Sequence, residues 1–311
     1  MKILFMGTPD FAAASLDRLI RDGREIVGVF SQPDRPRGRG YTLTPPPVKV
    51  RALEAGIPVY QPETLKDGAV ASLLASLSPD LIAVVAYGKI LPRYVLDFPR
   101  FGCVNVHGSL LPKYRGAAPM QRAIMNGEKY TGITTMYMAE GLDTGDMLLR
   151  GEIPILPSDN FETIHDKMAV LGADLLAETI DGLAAGRITP VPQNDAEATY
   201  AAKITREDCA LDFSRSAAEL SAQIRGLSPI PLAFTHLPDG KLLKVVSAHV
   251  TGGRGEAGEI LACDDRGDGE IVVACGEGAI ALTAVVPEGK GRMSAGDLVR
   301  GRRVAVGERL R

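Results

Sequence analysis

Asn105 and His107 stand two residues apart at the end of an apolar run that begins near Phe101. Strand side chains alternate, so in a strand ending at His107 the amide and the imidazole share one face. Further on, Gly141-Leu142-Asp143-Thr144-Gly145 sets one acid in a glycine-bracketed loop after a second apolar run. If that loop folds back on the ring, amide, titratable ring and carboxylate form a trio. Such a set offers N–H donors to a negative oxygen and a route for a proton. Each member also has a structural role open to it. A histidine at a strand end is often held by local hydrogen bonds, Asp143 suits a turn beside Gly145, and Asn105 can satisfy a neighbouring backbone.

The elements around these residues form an alternating pattern. Lys2 to Met6, Glu25 to Ser31, Asp80 to Ala86, Gly102 to His107, Gly132 to Met138 and Met147 to Ile155 read as strands. Phe11 to Arg21 has Leu16, Leu19 and Ile20 on one helical face, with Asp10 as its expected N-cap and Gly23 as its stop. Continuous apolar runs such as Leu81 to Ala86 suit strands covered on both faces, as in parallel sheets. The first half is expected to be a doubly wound α/β domain with a mostly parallel sheet. Ligands of such sheets gather outside the carboxyl ends of the strands, where Asn105 and His107 would lie.

A long helix is expected from Phe161 to Leu183. Gly186 to Thr199 then has little periodicity and carries Pro190, Pro192, Gln193, Asn194 and Asp195, which reads as a linker. Ser216 to Leu227 reads as a helix. Five short runs follow, Leu232 to Leu237, Leu242 to Val250, Gly258 to Cys263, Glu270 to Cys275 and Ala279 to Val286, as in a small barrel or sandwich. The expected division is a first domain over 1–188, a linker over 189–204 and a second domain over 205–311.

The composition, 311 residues of which 45% are hydrophobic, supports two packed domains. A formal charge of −3 gives no global signal for nucleic acid, so a polyanion must be met by a local patch. Cys103, Cys209, Cys263 and Cys275 show no metal-ligand spacing and no disulfide framework, and a reducing, cytoplasmic compartment is expected. No metal is expected either. The apolar start, Met1 to Met6, is too short for a signal peptide or membrane span. Ser109 lacks the G-x-S-x-G surroundings of a hydrolase nucleophile, and Gly7-Thr8-Pro9-Asp10 does not match a dinucleotide fingerprint.

The loop after the second strand is basic. From Arg35 to Arg51 it holds five Lys or Arg and no acid, among prolines and glycines expected to prevent regular structure. Its charges suit contact with a phosphate backbone and little base readout. Residues Lys290 to Arg311 add seven Lys or Arg against two acids. On charge alone, a solubilising loop and tail is the simpler reading.

The run Asn105 to Gly116 (Asn-Val-His-Gly-Ser-Leu-Leu-Pro-Lys-Tyr-Arg-Gly), with Gly132-Ile133-Thr134 and Gly141 to Gly145, resembles the signature of 10-formyltetrahydrofolate-dependent formyltransferases. Gly7 to Ala12, Gln32 to Pro36 with Gly38-Arg39-Gly40, Pro119 to Ile124 and Met293 to Ala295 make the chain similar to the methionyl-tRNA formyltransferase family over essentially its whole length. That resemblance implies a Rossmann-like folate-binding domain followed by an OB-like β-barrel that holds tRNA. It implies catalytic roles for Asn105, His107 and Asp143, and a folate-binding segment at Ser109, Leu110, Leu111 and Pro112. Arg35, Arg37, Arg39 and Lys49 fall in the loop that meets initiator methionyl-tRNA. The resemblance also implies 10-formyltetrahydrofolate as co-substrate, and one tRNA per chain is compatible with a monomer. One departure is Ser228-Pro229-Ile230-Pro231, where the family usually has Asn-Pro-Trp-Pro.

Two other functions deserve comparison. A formyltransferase for amino-sugar nucleotides would share the trio, but the basic loop from Gln32 to Lys49 favours tRNA. A non-catalytic RNA-binding protein would leave the Asn, His and Asp motif without a task.

Overall fold

The structure is a computed structural model, and it describes residues 1–37 and 42–311. The chain divides into two compact units. One comprises Met1–Gly116, Tyr130–Ile153 and His165–Tyr200, and the other Ala117–Lys129, Pro154–Ile164 and Ala201–Arg311.

The first unit is built on a seven-stranded sheet. Its strands are β1 (Ile3–Gly7), β2 (Ile26–Phe30), β3 (Val59–Tyr60), β4 (Leu81–Val85), β5 (Cys103–His107), β6 (Tyr130–Tyr137) and β7 (Met147–Pro154). They lie in the order β7-β6-β5-β4-β1-β2-β3. The five strands from β3 to β5 pair parallel, and β6 runs antiparallel to β5. Every residue of β1 and β4 is buried, as continuous apolar strands must be when helices cover both faces. On one face, Leu4, Met6, Phe30, Ile82, Val84 and Cys103 share a core with Leu74 of helix α3 (Ala71–Leu77) and Val95 of α4 (Arg93–Leu96). On the other, Val106 abuts Gly172 of α6 (Phe161–Ala184). Burial raises the Cys103 thiol to about 12, so it serves here as a small apolar side chain.

Three local expectations need correction. Helix α1 (Asp10–Arg21) starts one residue early: extended Pro9 is its N-cap, and Asp10 lies in the first turn, where the helix dipole favours an acid. The basic loop is not wholly irregular, because Arg35–Arg37 and Thr42–Thr44 pair as a short antiparallel ribbon. Pro36 fits there because an isolated ribbon leaves one backbone edge unpaired, where the missing N–H costs nothing. The loop ends in helix α2 (Pro47–Glu54), with Pro47 in the first turn, where its missing N–H would have no helical partner anyway.

The second unit holds an antiparallel sheet of β8 (Ala233–His236), β9 (Leu242–Thr251), β10 (Ile260–Cys263), β11 (Ile271–Ala274), β12 (Ala279–Pro287) and β13 (Met293–Ser294). The order is β8-β9-β12-β11-β10, with β13 pairing β12. Helix α7 (Ala217–Leu227) opens with a capping box, in which Ser216 and Glu219 satisfy each other's backbone N–H groups. It sends Leu220, Ile224 and Leu227 into a core with Val245, Ile271, Val273 and Leu282. Gly226 lets α5 (Pro119–Met125) pack closely, since a Cβ there would lie 2.6 Å from Met125 Cγ.

Arg122 of α5 grips Asp208 with two hydrogen bonds, 2.8 and 2.7 Å long. The guanidinium holds the Asp208 carboxyl down at about 2. A depressed carboxyl stabilises the fold above its unfolded value and loses that contribution as pH falls toward the folded one. Asp208→Asn is therefore expected to cost about 1 kcal/mol near neutral pH. The cost should vanish as pH falls from about 4 to about 2. Urea titrations of the native and substituted proteins across that range check it, and a pH-independent difference would refute the pairing.

Among the described residues, no helix is long and apolar enough to cross a membrane. No group of three or more His, Cys, Asp or Glu among them is placed to hold a metal. All four cysteines are free thiols.

Candidate active site

Strand β5 delivers Asn105 and His107 together. Its register pairs Asn105 with Val84 on one side and with Met136 on the other, and His107 with Thr134. By alternation both side chains share a face with buried Cys103, while Val104 and Val106 take the opposite one. His107 is 5% exposed. Asn105 is half-buried, and its amide has no hydrogen-bond partner among the described residues.

Acceptors face both ring nitrogens of His107. Nε2 lies 3.0 Å from the Tyr114 carbonyl, and Nδ1 lies 3.6 Å from Asp143 Oδ2. A neutral ring donates through one nitrogen only, so in that form an N–H meets just one of the two acceptors. Asp143 Oδ2 also accepts the Gly116 N–H at 2.8 Å. The acid thus bridges ring and backbone.

The loop that carries Asp143 is shaped by close approach. Gly145 sits against the end of β6, and a Cβ there would lie 1.8 Å from the Tyr137 carbonyl oxygen, so only glycine fits. Asp143 itself adopts φ +51°, a left-handed conformation unusual outside glycine but tolerated by Asp and Asn. Gln193 donates from Nε2 to the carbonyls of Asp143 and Gly145, both at 2.8 Å. The segment after α6 is irregular, as a linker would be, yet it is tied to this loop. Met147 and Val191 exchange backbone hydrogen bonds of 2.8 Å.

The Ser109 to Pro112 segment is closely packed beside this centre. Ser109 is fully buried and donates its hydroxyl to the Lys113 carbonyl at 2.6 Å. Thr134 Oγ1 donates to the Ser109 carbonyl at 2.8 Å and accepts the Leu111 N–H at 3.1 Å. Leu111 is buried, whereas Leu110 and Pro112 are part-exposed. The Ser109 hydroxyl is thus engaged with backbone.

Residues 1–180 match the formyl transferase family and residues 203–303 its C-terminal domain. A curated methionyl-tRNA formyltransferase of Bacillus subtilis is 49% identical, covering 99% of this chain and 97% of its own. The chain belongs to the formyl transferase family. Among solved structures, HypX from Aquifex aeolicus in complex with tetrahydrofolic acid superimposes with TM-score 0.65 at 18% identity, covering 99% of this chain and 48% of that one. The sugar 3N-formyl transferase WlaRD gives TM-score 0.65 at 16% identity, covering 94% of this chain and 99% of that one. These two likenesses concern the fold.

The basic loop lies partly within the described residues. Arg35 is exposed at its start, Arg37 lies in the ribbon, and Arg39 falls outside the described residues. Lys49 spends its ammonium inward, on both Asp34 oxygens at 2.9 and 2.8 Å and on Gln61 Oε1 at 2.8 Å. These bonds hold the Asp34 carboxyl below its ordinary range. In the basic tail, Arg300, Arg303 and Arg309 pair with Asp297, Asp239 and Glu256. Where the family usually carries tryptophan, Ile230 is 68% exposed, so no core depends on that side chain here.

Sequence reasoning missed the Tyr114 carbonyl and the Gly116 amide, which are backbone groups with no residue signature. It also missed Gln193 and Arg115. The signal available for Gln193 was an amide pair, Gln193-Asn194, between a proline and an acid in a segment of little periodicity.

Proposed function

We propose that this chain transfers a formyl group from 10-formyltetrahydrofolate to the α-amino group of initiator methionyl-tRNA, giving N-formylmethionyl-tRNA for translation initiation. The observation that carries this reading is the likeness, at 46 to 49% identity over nearly the whole chain, to curated methionyl-tRNA formyltransferases. The His107 and Asp143 pair supports it chemically.

Formyl transfer forms a bond from the amine nitrogen to the formyl carbon and breaks the bond from that carbon to folate nitrogen. The amine loses a proton and the folate nitrogen gains one. In between, the carbon is tetrahedral and its oxygen negative. Asn105 brings an amide N–H donor to that oxygen, and His107 a ring N–H that the oxygen takes over from the Tyr114 carbonyl when substrate is bound. One such donor is worth about 2.7 to 4 kcal/mol in a related oxyanion site. Asp143 orients the ring and, directly or through water, takes the proton from the amine. The chain's free half-buried amide and a ring flanked by acceptors fit this task. Ser109, Leu110, Leu111 and Pro112 border the folate. No covalent intermediate on the protein is required, so holding both reactants together supplies much of the acceleration.

Arg35, Arg37 and Arg39 are assigned to the acceptor end of the tRNA, and Lys49 to the base of the same loop. Domains over 1–188 and 205–311, joined by 189–204, are assigned to folate chemistry and tRNA binding, the second as an OB-like barrel. The protein is assigned to the cytoplasm and acts as a monomer.

The test offers formyl-folate with charged initiator tRNA, aminoacylated elongator tRNA or an amino-sugar nucleotide. Initiator methionyl-tRNA is expected to be formylated with the highest kcat/KM. Its KM should also rise with salt more steeply than that for folate, because phosphate contacts release counterions. Preferential formylation of the sugar nucleotide would replace this reading.

A further inference from the structure

We propose that Gln193 is a positioning residue that locks Asp143 against His107. The inference deepens the reading above and rests on it. Gln193 is half-buried, and its amide is used at both ends. Nε2 donates to two carbonyls of the acid's own loop, those of Asp143 and Gly145. Oε1 accepts from Arg115 Nε at 3.0 Å. Arg115 is 2% exposed and donates from Nη2 to Asp195 at 2.8 Å.

A guanidinium only donates, so it fixes which end of the amide it meets. Arg115 claims Oε1, and the NH₂ group is left facing the loop carbonyls. Both of its hydrogens are consumed there. The two bonds reach across the turn in which Asp143 holds φ +51°. A non-glycine residue keeps such a conformation only where its surroundings enforce it. Gln193 supplies that enforcement.

The segment bearing Gln193 also braces the other side of the ring. The Thr199 carbonyl accepts the Arg115 N–H at 2.8 Å, and Thr199 Oγ1 accepts the Tyr114 N–H at 2.9 Å. Tyr114 carries the carbonyl that meets His107 Nε2. One irregular segment after α6 therefore sets both acceptors of the imidazole, and Gln193 is its contact to the acid.

Gln193→Glu tests this on the full-length protein. It keeps an oxygen for Arg115 but turns the two loop-facing donors into an acceptor opposed to carbonyls. Gln193→Met removes the donors without adding charge. Both are expected to lower kcat by roughly 10 to 100-fold, the scale seen when partners that orient metal-ligating side chains are removed. KM for both substrates should change less than about twofold, because Gln193 is assigned to the acid's loop and not to binding. In ¹H,¹⁵N spectra of the imidazole, the His107 signals should shift in both variants. With Asp143 already changed to Asn, adding Gln193→Glu should cost less than about twofold more, since residues acting as one unit are non-additive.

Unchanged His107 signals, additive losses or a variant that fails to fold would each overturn the assignment and leave Gln193 a purely structural role. The spectra need no turnover. If the native protein formylates nothing, the functional reading fails while the His107 signals still judge the inference.

Discussion

His107→Ala is expected to lower kcat for formyl transfer by about 10² to 10⁴-fold while the protein stays folded. The ring sits at the carboxyl end of β5, between the Tyr114 carbonyl and the Asp143 carboxylate. Truncation removes the ring donor proposed for the developing negative oxygen and the ring that Asp143 faces. The stability cost is smaller, about 1 to 3 kcal/mol for leaving buried partners unmade. Gly116 still satisfies Asp143 after the change. Single-turnover rates with saturating formyl-folate and methionyl-tRNA, read beside thermal unfolding, separate the two effects. A folded variant with near-native turnover would remove His107 from the mechanism.

The amide and imidazole were legible because a strand has period two, and a two-residue spacing fixes a shared face before any fold is known. The parallel sheet was legible for a related reason. Runs such as Leu81 to Val85 have no polar face to offer water, and all five residues are buried. What escaped was local and irregular. The ribbon at Arg35–Arg37 and helix α2 at Pro47–Glu54 grow from proline-rich text in which proline's usual veto does not apply. At a first helical turn or a ribbon edge the missing N–H is not needed.

The site shows the same boundary. Asp143 is an acid in a glycine-bracketed loop, and sequence can name it. What holds it is the N–H of Gly116, the side chain of Gln193 and the squeeze at Gly145. The first is 27 residues away and the second 50, and neither contact has a spacing rule. Such contacts follow from tertiary closure, which places the segment after α6 over the loop.

Asp143→Asn isolates charge from shape. The amide oxygen can still accept the Gly116 N–H, so the loop keeps its anchor, and Gln193 bonds the backbone of residues 143 and 145 and is untouched. What is lost is the negative charge facing His107 Nδ1 at 3.6 Å. If that charge does what is proposed, orienting the ring and receiving the amine's proton, kcat should fall by about 10² to 10⁴-fold. Folate binding and the unfolding midpoint should stay near native. Asp143→Glu keeps the charge but moves it by one methylene, and is expected to recover only part of the rate, since small misplacements near reacting groups are costly. Rapid-quench measurement of a single turnover reads the chemical step in all three proteins. Equal rates for the native and Asn proteins would show that the carboxylate only shapes the loop, and the proton would then leave the amine by water or by another group.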